Sequence, residues 1–489
     1  MNKIYAILLV VLGLFTPMTT MWAQENKIDS LAYYTQLALE NNPGLKSQRL
    51  AYEAFLDKIP QAGAFEDPEL SMGFYTKPMD IVGGRQIGDI TLMQMLPWFG
   101  TKKSAKKEAN HMASMQMQQY REAREMVILQ VNTQWYILQK LQQQVSNAKQ
   151  NKDLLEQLEQ LAIKKFSSPS GGTASNSMAS STPIASTTTN TSGGMGGMNM
   201  GGGTTATANT STSTSTSSSS SSSAMGGMSG GGSGSGMSDV LRIRLETIEI
   251  ENTIESLQAQ IKAEKVKFNA LLDQEIQAAV TVPHAIEKVP FFLTDEEAQT
   301  LIESNNPMLA MLTEEGLAYQ AKSAMDKKMS YPMVGLGVQY MIIGKTNDPM
   351  LAMGDMNGKD MIMPMVTVSL PIFRKKYKAQ QEEGKKWWKS SEEKYKDAYN
   401  TLLASYYSFK NQVEDTERTI ALLEKQTTLA ETTFNLIVKE FVTGKSDLTN
   451  VIQVQRQLLD YQLKKAEAIA NYNTLVASIE NITATPNDL

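Results

Sequence analysis

The chain has 489 residues, of which 41% are hydrophobic and 20% are charged, a balance typical of a folded protein with room for two or three ordinary domains. Its net charge is −5 and it has no basic block, which argues against a nucleic-acid partner. It contains no cysteine, so we expect neither a disulfide nor a lipid on an N-terminal cysteine.

The N-terminus begins with Met1-Asn2-Lys3, continues with the apolar run Ile4 to Phe15, and reaches Met21-Trp22-Ala23 before a polar segment. This pattern predicts a secretory signal peptide over residues 1–23, with a buried N-terminal strand as the alternative. No later run approaches the ~18 apolar residues of a membrane-spanning helix. We therefore expect any crossing of a bilayer to be made by β-strands closed into a barrel.

The rest of the sequence is an internal duplication. An Asn-Asn-Pro turn occurs at Pro43 and again at Pro307, and in each case another proline follows 25 residues later and opens a β-like run. The duplication predicts a first repeat over 24–275, a linker over 276–297, a second repeat over 298–482 and a tail over 483–489.

In the first repeat, alternating runs at 69–76 and 87–96 predict a β-hairpin over about 69–96, with a long loop around Lys77-Pro78 and Gly83-Gly84. Residues 101–166 contain no proline or glycine and predict one long helix. A return helix is expected over 239–272. Between these helices, the Ser/Thr/Gly/Met-rich insert 167–238 has a composition that cannot bury a core and is expected to be disordered.

The second repeat predicts a hairpin over about 333–370 and helices over about 374–441 and 448–480. A tight turn replaces the insert, with Gly444 suited to a helix C-cap and Ser446 or Asp447 to an N-cap. The first of these helices carries a heptad seam, in which apolar residues and two threonines alternate steps of four and three. The seam consists of Leu402, Tyr406, Phe409, Val413, Thr416, Ile420, Leu423, Thr427, Ala430, Phe434, Ile437 and Phe441.

Four short strands cannot close a barrel alone, and open strand edges are not tolerated in lipid. The chain is therefore expected to oligomerise if its strands lie in a membrane. Two copies would supply eight strands, which side chains fill, and three would supply twelve, enough for a water-filled lumen.

The sequence combines Asn-Pro helices and Pro-opened hairpins with the junctions Leu96-Pro97-Trp98-Phe99-Gly100 and Leu370-Pro371-Ile372-Phe373. It also contains Phe441-x-x-Gly444 followed by Asn450-Val451-Ile452. In these features it resembles the TolC family of outer-membrane efflux ducts. The resemblance implies a mainly α-helical fold with a small β part, assembled as a homotrimer whose twelve-stranded β-barrel in the outer-membrane lipid is continued by a periplasmic α-helical barrel. It also implies no catalysis, and docking through a periplasmic adaptor (membrane fusion) protein onto an inner-membrane RND-type pump. The form from Gln94 to Gly100 is similar to members that work with heavy-metal pumps of the Cus and Czc type.

The chain has 30 methionines, more than core packing usually recruits. One cluster in the second hairpin comprises Met341, Met350, Met353, Met356, Met361 and Met363. Another lies in the insert and comprises Met195, Met198, Met200, Met225 and Met228. Thioether sulfur is a soft ligand suited to Cu(I) or Ag(I), so we expect transient binding of these ions by the insert and no resident cofactor. The alternative, that methionine fills gaps in packing, fits the helices better than a segment with no core.

Four residues mark the expected periplasmic tip and gate, namely Asp239, Gly444, Asp447 and Asn450. The resemblance implies a pore-closing acidic residue near Asn450, so closure by carboxylates would rest on Asp239 or Asp447. Helix capping is the alternative role for these side chains. His111 and Met115 share one helical face, for which a packed helix surface is the favoured interpretation over metal binding.

The sequence contains no Ser/His/Asp set, phosphate-binding loop or paired-carboxylate site, so no enzyme is predicted. The leading hypothesis is an outer-membrane efflux duct that passes substrates such as Cu(I), Ag(I) or other heavy metals from pump and adaptor to the exterior. The alternative is an exported soluble coiled-coil scaffold or periplasmic adaptor in which the β runs form a small domain.

Overall fold

A computed structural model of the protein describes residues 30–167, 236–350 and 354–484. These residues form two compact units, one made of 30–156 together with the described residues from 245 onward, and the other of 157–167 and 236–244. The predicted signal peptide, nearly all of the insert and most of the tail lie outside the described residues.

The described elements follow the same order in both halves of the chain. The first half contains α1 (Leu31–Asn41), α2 (Pro43–Gly63), β1 (Glu69–Ile81), β2 (Gly84–Leu96), α3 (Thr101–Ser167) and α4 (Gly236–Leu271). The second half contains α5 (Asp295–Asn305), α6 (Pro307–Met329), β3 (Met333–Gly344), β4 (Met361–Ser369), α7 (Arg374–Val442) and α8 (Leu448–Thr483). The prediction of a mainly α-helical fold with a small β part, built from duplicated hairpins and long helices, is confirmed.

The two Asn-Pro turns perform the same structural task in each half. The Asn42 side-chain oxygen accepts a hydrogen bond from the Leu45 amide (3.1 Å), while its amide group donates to the Leu271 carbonyl (3.1 Å). Asn306 likewise accepts from the Leu309 amide (3.4 Å) and donates to the carbonyl of Ile482 (2.8 Å). Each asparagine therefore caps the start of one helix and satisfies a carbonyl at the end of the return helix of its own half.

The four strands form one antiparallel sheet in the order β1-β2-β3-β4, so β2 and β3 join the two hairpins. The long loop expected in the first hairpin is wrong, because β1 runs to Ile81 and β2 begins at Gly84. Gly83 and Gly84 have φ values of 95° and 149°, which allow a tight turn. Pro78 does not end β1, because β1 is an outer strand of this sheet and its register shifts between Phe74 and Met79.

The heptad seam predicted on α7 is confirmed, since every seam position is buried or half-buried. Tyr406 is fully buried and its hydroxyl donates to the Asp295 carboxylate (3.0 Å) at the start of α5. The largest core cluster brings α7 and α8 together with α1, α3 and the segment between α4 and α5. Long helices need such packed neighbours, because propensity alone does not stabilise them.

A buried polar layer fixes how α3 and α8 lie against each other. The Gln455 amide donates to the Asn151 side-chain oxygen (3.2 Å), and both side chains are almost completely buried. The Asn151 amide in turn donates to the Gln462 side-chain oxygen (3.0 Å). Because these hydrogen bonds form only when the three side chains lie opposite one another, this layer favours a single register of the two helices.

Within residues 30–167, 236–350 and 354–484, no helix combines the length and the apolar character needed to cross a membrane.

Candidate functional site

The sheet has two chemically different faces, because successive side chains of a strand point to opposite sides and the pairing keeps alternate rows aligned. One face, the apolar face, carries Leu70, Met72, Phe74, Ile90, Leu92, Val334, Leu336, Val338, Tyr340, Ile342, Ile362, Pro364, Val366 and Val368. Several of these side chains are largely exposed, including Phe74 at 74% and Val366 at 69%. Gln94 is a polar member of these rows, and its amide donates to the Glu66 carbonyl (2.6 Å).

The opposite face mixes polar residues, glycines and methionines, and we call it the methionine face. It carries Glu69, Ser71, Gly73, Asp89, Thr91, Met93, Met95, Met333, Gly335, Gly337, Gln339, Met341, Met361, Met363, Met365, Thr367 and Ser369. The side-chain amide of Gln339 donates to the Asp89 carboxylate (3.1 Å) across β2 and β3. The sheet is thus apolar on one side and polar with many thioethers on the other.

The second-hairpin methionines singled out in the sequence divide between strands and connection. Met341 lies on β3, and Met361 and Met363 lie on β4. Met350 and Met356 lie in the connection between these strands, and Met353 is outside the described residues.

The junction between β2 and α3 is held in place by side chains at the end of α6 and just after it. Gly100 has a φ of 81°, which turns the chain into α3. The Lys328 ammonium donates to the Gly100 carbonyl (3.0 Å) and to the Ser104 hydroxyl (2.9 Å). Trp98 stacks on Tyr331, with ring centroids 5.3 Å apart. The junction motif therefore fixes the angle at which the sheet leads into the helices.

Three of the four predicted tip residues lie where α7 is followed by α8, with Gly444 and Asp447 in the turn between the helices and Asn450 in the first turn of α8. Gly444 has a φ of 76° and follows the C-cap residue Thr443 of α7, the position at which a left-handed glycine commonly ends a helix. Asp447 occupies the N-cap position of α8, but its side chain makes no capping hydrogen bond. Asp447 therefore occupies the predicted N-cap position of α8 without making the side-chain bond of a capping residue. The Asn450 side chain donates to the Ser446 hydroxyl (3.4 Å), and its backbone amide donates to the Asp447 carbonyl (3.2 Å).

The fourth tip residue, Asp239, belongs to the other compact unit. It lies in the first turn of α4, which begins at Gly236 rather than at Asp239. In the same unit the Arg244 guanidinium donates to the Glu159 carboxylate (2.6 Å). The proposed metal ligands Met195, Met198, Met200, Met225 and Met228 lie outside the described residues.

An ion pair near the start of α8 has no signature in the sequence. Arg456 donates to both carboxylate oxygens of Glu246 on α4, at 2.6 to 2.8 Å, and to Glu249 (3.1 Å). The Glu246 side chain is only 6% exposed, and the hydrogen bonds with it raise the pKa of Arg456. Because 210 residues separate the partners, no local pattern predicts this pair.

A second apolar stripe runs along α7 outside the buried seam. Leu422, Leu429 and Leu436 follow one another at intervals of seven and are 55%, 68% and 57% exposed. Heptad-spaced leucines form a surface to which another helix packs. The stripe has the pattern of a helix contact and not of a solvated helix face.

His111 contacts another helix, as favoured in the sequence interpretation. Its Nδ1 lies 2.7 Å from a carboxylate oxygen of Glu314 on α6. Among the described residues, no group of three or more His, Cys, Asp and Glu side chains is placed to hold a metal ion.

The family model described as outer membrane efflux protein matches residues 300–485. No curated protein matches the sequence. Solved structures with the same fold include the outer membrane protein VceC from Vibrio cholerae, 12% identical, with the match covering 93% of this chain and 95% of that chain at a TM-score of 0.63. CusC, described in terms of transmembrane channel formation, is 12% identical, with 93% and 92% covered and a TM-score of 0.64. The CmeC outer membrane channel of Campylobacter jejuni is 10% identical, with 93% and 85% covered and a TM-score of 0.62.

Proposed function

We propose that the chain is an outer membrane efflux protein of the TolC type and that it forms a homotrimeric duct, which carries substrates across the outer membrane and along a periplasmic extension. In this proposal the protein performs no catalysis, and its side chains serve to form the wall of the duct.

The main support for this proposal is the sheet, which has one apolar face and one polar face. In the described part of the chain, β1 and β4 are the outer strands of the sheet, so each has one edge open for a neighbouring chain. Three copies of this four-stranded sheet supply twelve strands, which suffice for a water-filled barrel. The apolar face would then contact lipid and the methionine face would line the lumen, as alternation in membrane barrels requires.

The long helices supply the periplasmic part of the duct. At about 1.5 Å per residue, α7 alone is about 100 Å long. The exposed stripe of Leu422, Leu429 and Leu436 gives a neighbouring chain a helix surface to pack on. The trimer would therefore be held by strand pairing at one end and by helix packing along its length.

The partners proposed for the duct are a periplasmic adaptor protein and an inner-membrane RND-type pump, which deliver substrate to the helical end. In this arrangement the turn around Gly444, Asp447 and Asn450 lies at the periplasmic tip, as does Asp239. Closure of the tip by carboxylates would involve Asp239 or Asp447, which are the acidic residues of this set.

The substrates we propose are soft monovalent cations, Cu(I) and Ag(I). The support is chemical, since thioethers prefer such ions and five of the seven methionines of the insert fall in two short glycine-rich runs, namely Met195, Met198, Met200, Met225 and Met228. The composition of the insert predicts a disordered segment, and ~65 disordered residues would have a root-mean-square reach of about 45 Å. Such a tether would raise the local concentration of the ion at the entrance.

A pair of neighbouring substitutions tests the orientation of the sheet. Val366→Arg places a charge on the apolar face, whereas Thr367→Arg places the same charge on the methionine face of the same strand. A lipid-facing arginine near the bilayer centre costs about 2–4 kcal/mol, and a lumen-facing one costs much less. We expect Val366→Arg to be lost from the carbonate-washed membrane fraction and Thr367→Arg to be retained. If wild-type protein itself washes off in carbonate as a monomer, the duct proposal fails and the soluble scaffold is favoured.

Deleting residues 168–233 tests the insert separately. The second half turns with Gly444 where the first half has the insert, so the fold should not require it. We expect the deletion variant to remain trimeric. A variant with Met195, Met198, Met200, Met225 and Met228 changed to Leu should become sensitive to copper or silver. Growth equal to wild type in both metals, with trimer yield unchanged, would reduce the insert to a spacer.

A further inference from the structure

We propose that the methionine face of the sheet itself binds a soft monovalent cation, through Met341, Met361 and Met363 together with the Asp89 carboxylate. The inference rests on the proposed duct, because it assigns this face to the lumen. It is distinct from the insert, since all four residues lie on paired strands.

The sheet register brings these side chains together. Met341 on β3 is directly opposite Met361 on β4, which places their Cβ atoms about 5 Å apart. Met363 follows on the same face of β4, about 6.6 Å along the strand from Met361. Asp89 on β2 is the other direct partner of Met341. One row therefore reads Asp89, Met341, Met361, with a third thioether beside it.

Flexible thioethers at these separations can direct their sulfur atoms toward one ion. Methionine has three rotatable side-chain bonds and its sulfur needs no deprotonation to act as a ligand. A neutral set of three sulfurs with one adjacent carboxylate also balances the charge of a monovalent ion. The carboxylate is held in place on this face by the hydrogen bond donated by Gln339 (3.1 Å).

Packing does not account for these methionines. Met361 and Met363 are 42% and 40% exposed, on the face that also holds serine, threonine, glutamine and carboxylate side chains. A methionine that fills a core gap is buried among apolar side chains, as the opposite face of the sheet would provide. Here the thioethers are the apolar minority on a polar surface.

Further thioethers continue along the same face toward the helical end of the sheet. Met93 and Met365 flank Gly337 in one row, and Met95 lies beside Gly335 in the next. The Met95 sulfur occupies the space over Gly335, where it would be 2.6 Å from an added Cβ. The glycines leave room for methionines of adjacent strands to lean over β3. A released ion thus meets the next sulfur within the same face.

The test is calorimetric titration of purified full-length trimer with Ag(I), in a background in which Met195, Met198, Met200, Met225 and Met228 of the insert are changed to Leu. The sheet variant carries Met341→Leu, Met361→Leu and Met363→Leu, exchanges that conserve volume. The matched control carries Met72→Leu, Met126→Leu and Met329→Leu, three exposed methionines that lie elsewhere.

We expect the background protein and the control to bind Ag(I), and the sheet variant to bind at least about tenfold more weakly. Zn(II) should not compete, because it prefers imidazole, thiolate and carboxylate ligands. Equal Ag(I) affinity in the sheet variant and the control, or no binding by the background protein, would overturn the inference. Bilayer conductance of the same samples separates the two proposals. Open channels without Ag(I) binding contradict only the metal site, and silent samples contradict the duct.

Discussion

Asn306 offers the sharpest test of how the duplicated architecture is held together. Its side chain, on a residue only 5% exposed, accepts hydrogen bonds from the Met308 and Leu309 amides (3.0 and 3.4 Å) and donates one to the Ile482 carbonyl (2.8 Å). Losing an N-cap costs about 0.5–2 kcal/mol. Losing a further hydrogen bond costs about 0.5–1.5 kcal/mol net. Asn306→Ala should therefore weaken the local structure by about 2 kcal/mol.

Hydrogen exchange is the suitable assay, because a large oligomer does not give a single unfolding free energy. About 2 kcal/mol corresponds to roughly thirtyfold faster exchange through local opening. We expect this acceleration in peptides that cover the start of α6 and the end of α8. Asn306→Ser keeps a capping oxygen and should accelerate exchange mainly at the end of α8.

The equivalent change in the first half, Asn42→Ala, should give the same pattern at the start of α2 and the end of α4, since Asn42 makes the corresponding bonds. Exchange at wild-type rates in both alanine variants would refute the assignment of these asparagines as the ties between helices. Acceleration at α6 alone would show that the bond to Ile482 contributes nothing.

Three further predictions concern single residues. Gly444→Ala should cost about 1–2 kcal/mol from the left-handed backbone alone, seen as about tenfold faster exchange in the turn, because no atom lies within 4 Å of the added Cβ. Arg456→Gln should cost about 1.5–3 kcal/mol by leaving Glu246 unpaired, and adding Glu246→Gln should restore part of the loss in a double-mutant cycle. Burial raises the pKa of Glu480 above its ordinary 4.5, so the folded state binds more protons than the unfolded state and stability falls as pH rises above that value. Glu480→Gln should therefore raise the apparent melting temperature at neutral pH, and this gain should vanish toward pH 4.5. The control Glu255→Gln, at an exposed position, should leave the melting temperature unchanged at both pH values.

Much of the fold was predictable because residues close together in the sequence determine where its helices and strands begin and end. The Asn-Pro turns, the proline- and glycine-free stretch of α3 and the unbroken seam of α7 are each patterns in which neighbouring residues determine the outcome. The tight turn of the first hairpin was not predicted, because Pro78 and the two glycines, taken from the sequence alone, indicate a long loop. An outer strand with a register shift tolerates that proline.

The features that required the structure are long-range ones. Pairing of β2 with β3 joins residues about 250 positions apart, as the hydrogen bond between Gln339 and Asp89 illustrates. The sequence showed many methionines in the second hairpin, but only the register places Met341 opposite Met361. The ion pair of Arg456 with Glu246 could not be predicted from the sequence either, because a lone arginine on a helix indicates no specific partner.

The most direct test of the central claim is the conductance of purified trimer in a planar lipid bilayer. The account predicts discrete, water-filled channels, because three copies of a sheet with one apolar and one polar face would enclose a lumen. Reconstituted protein that remains trimeric but gives no channels under any applied voltage would contradict it.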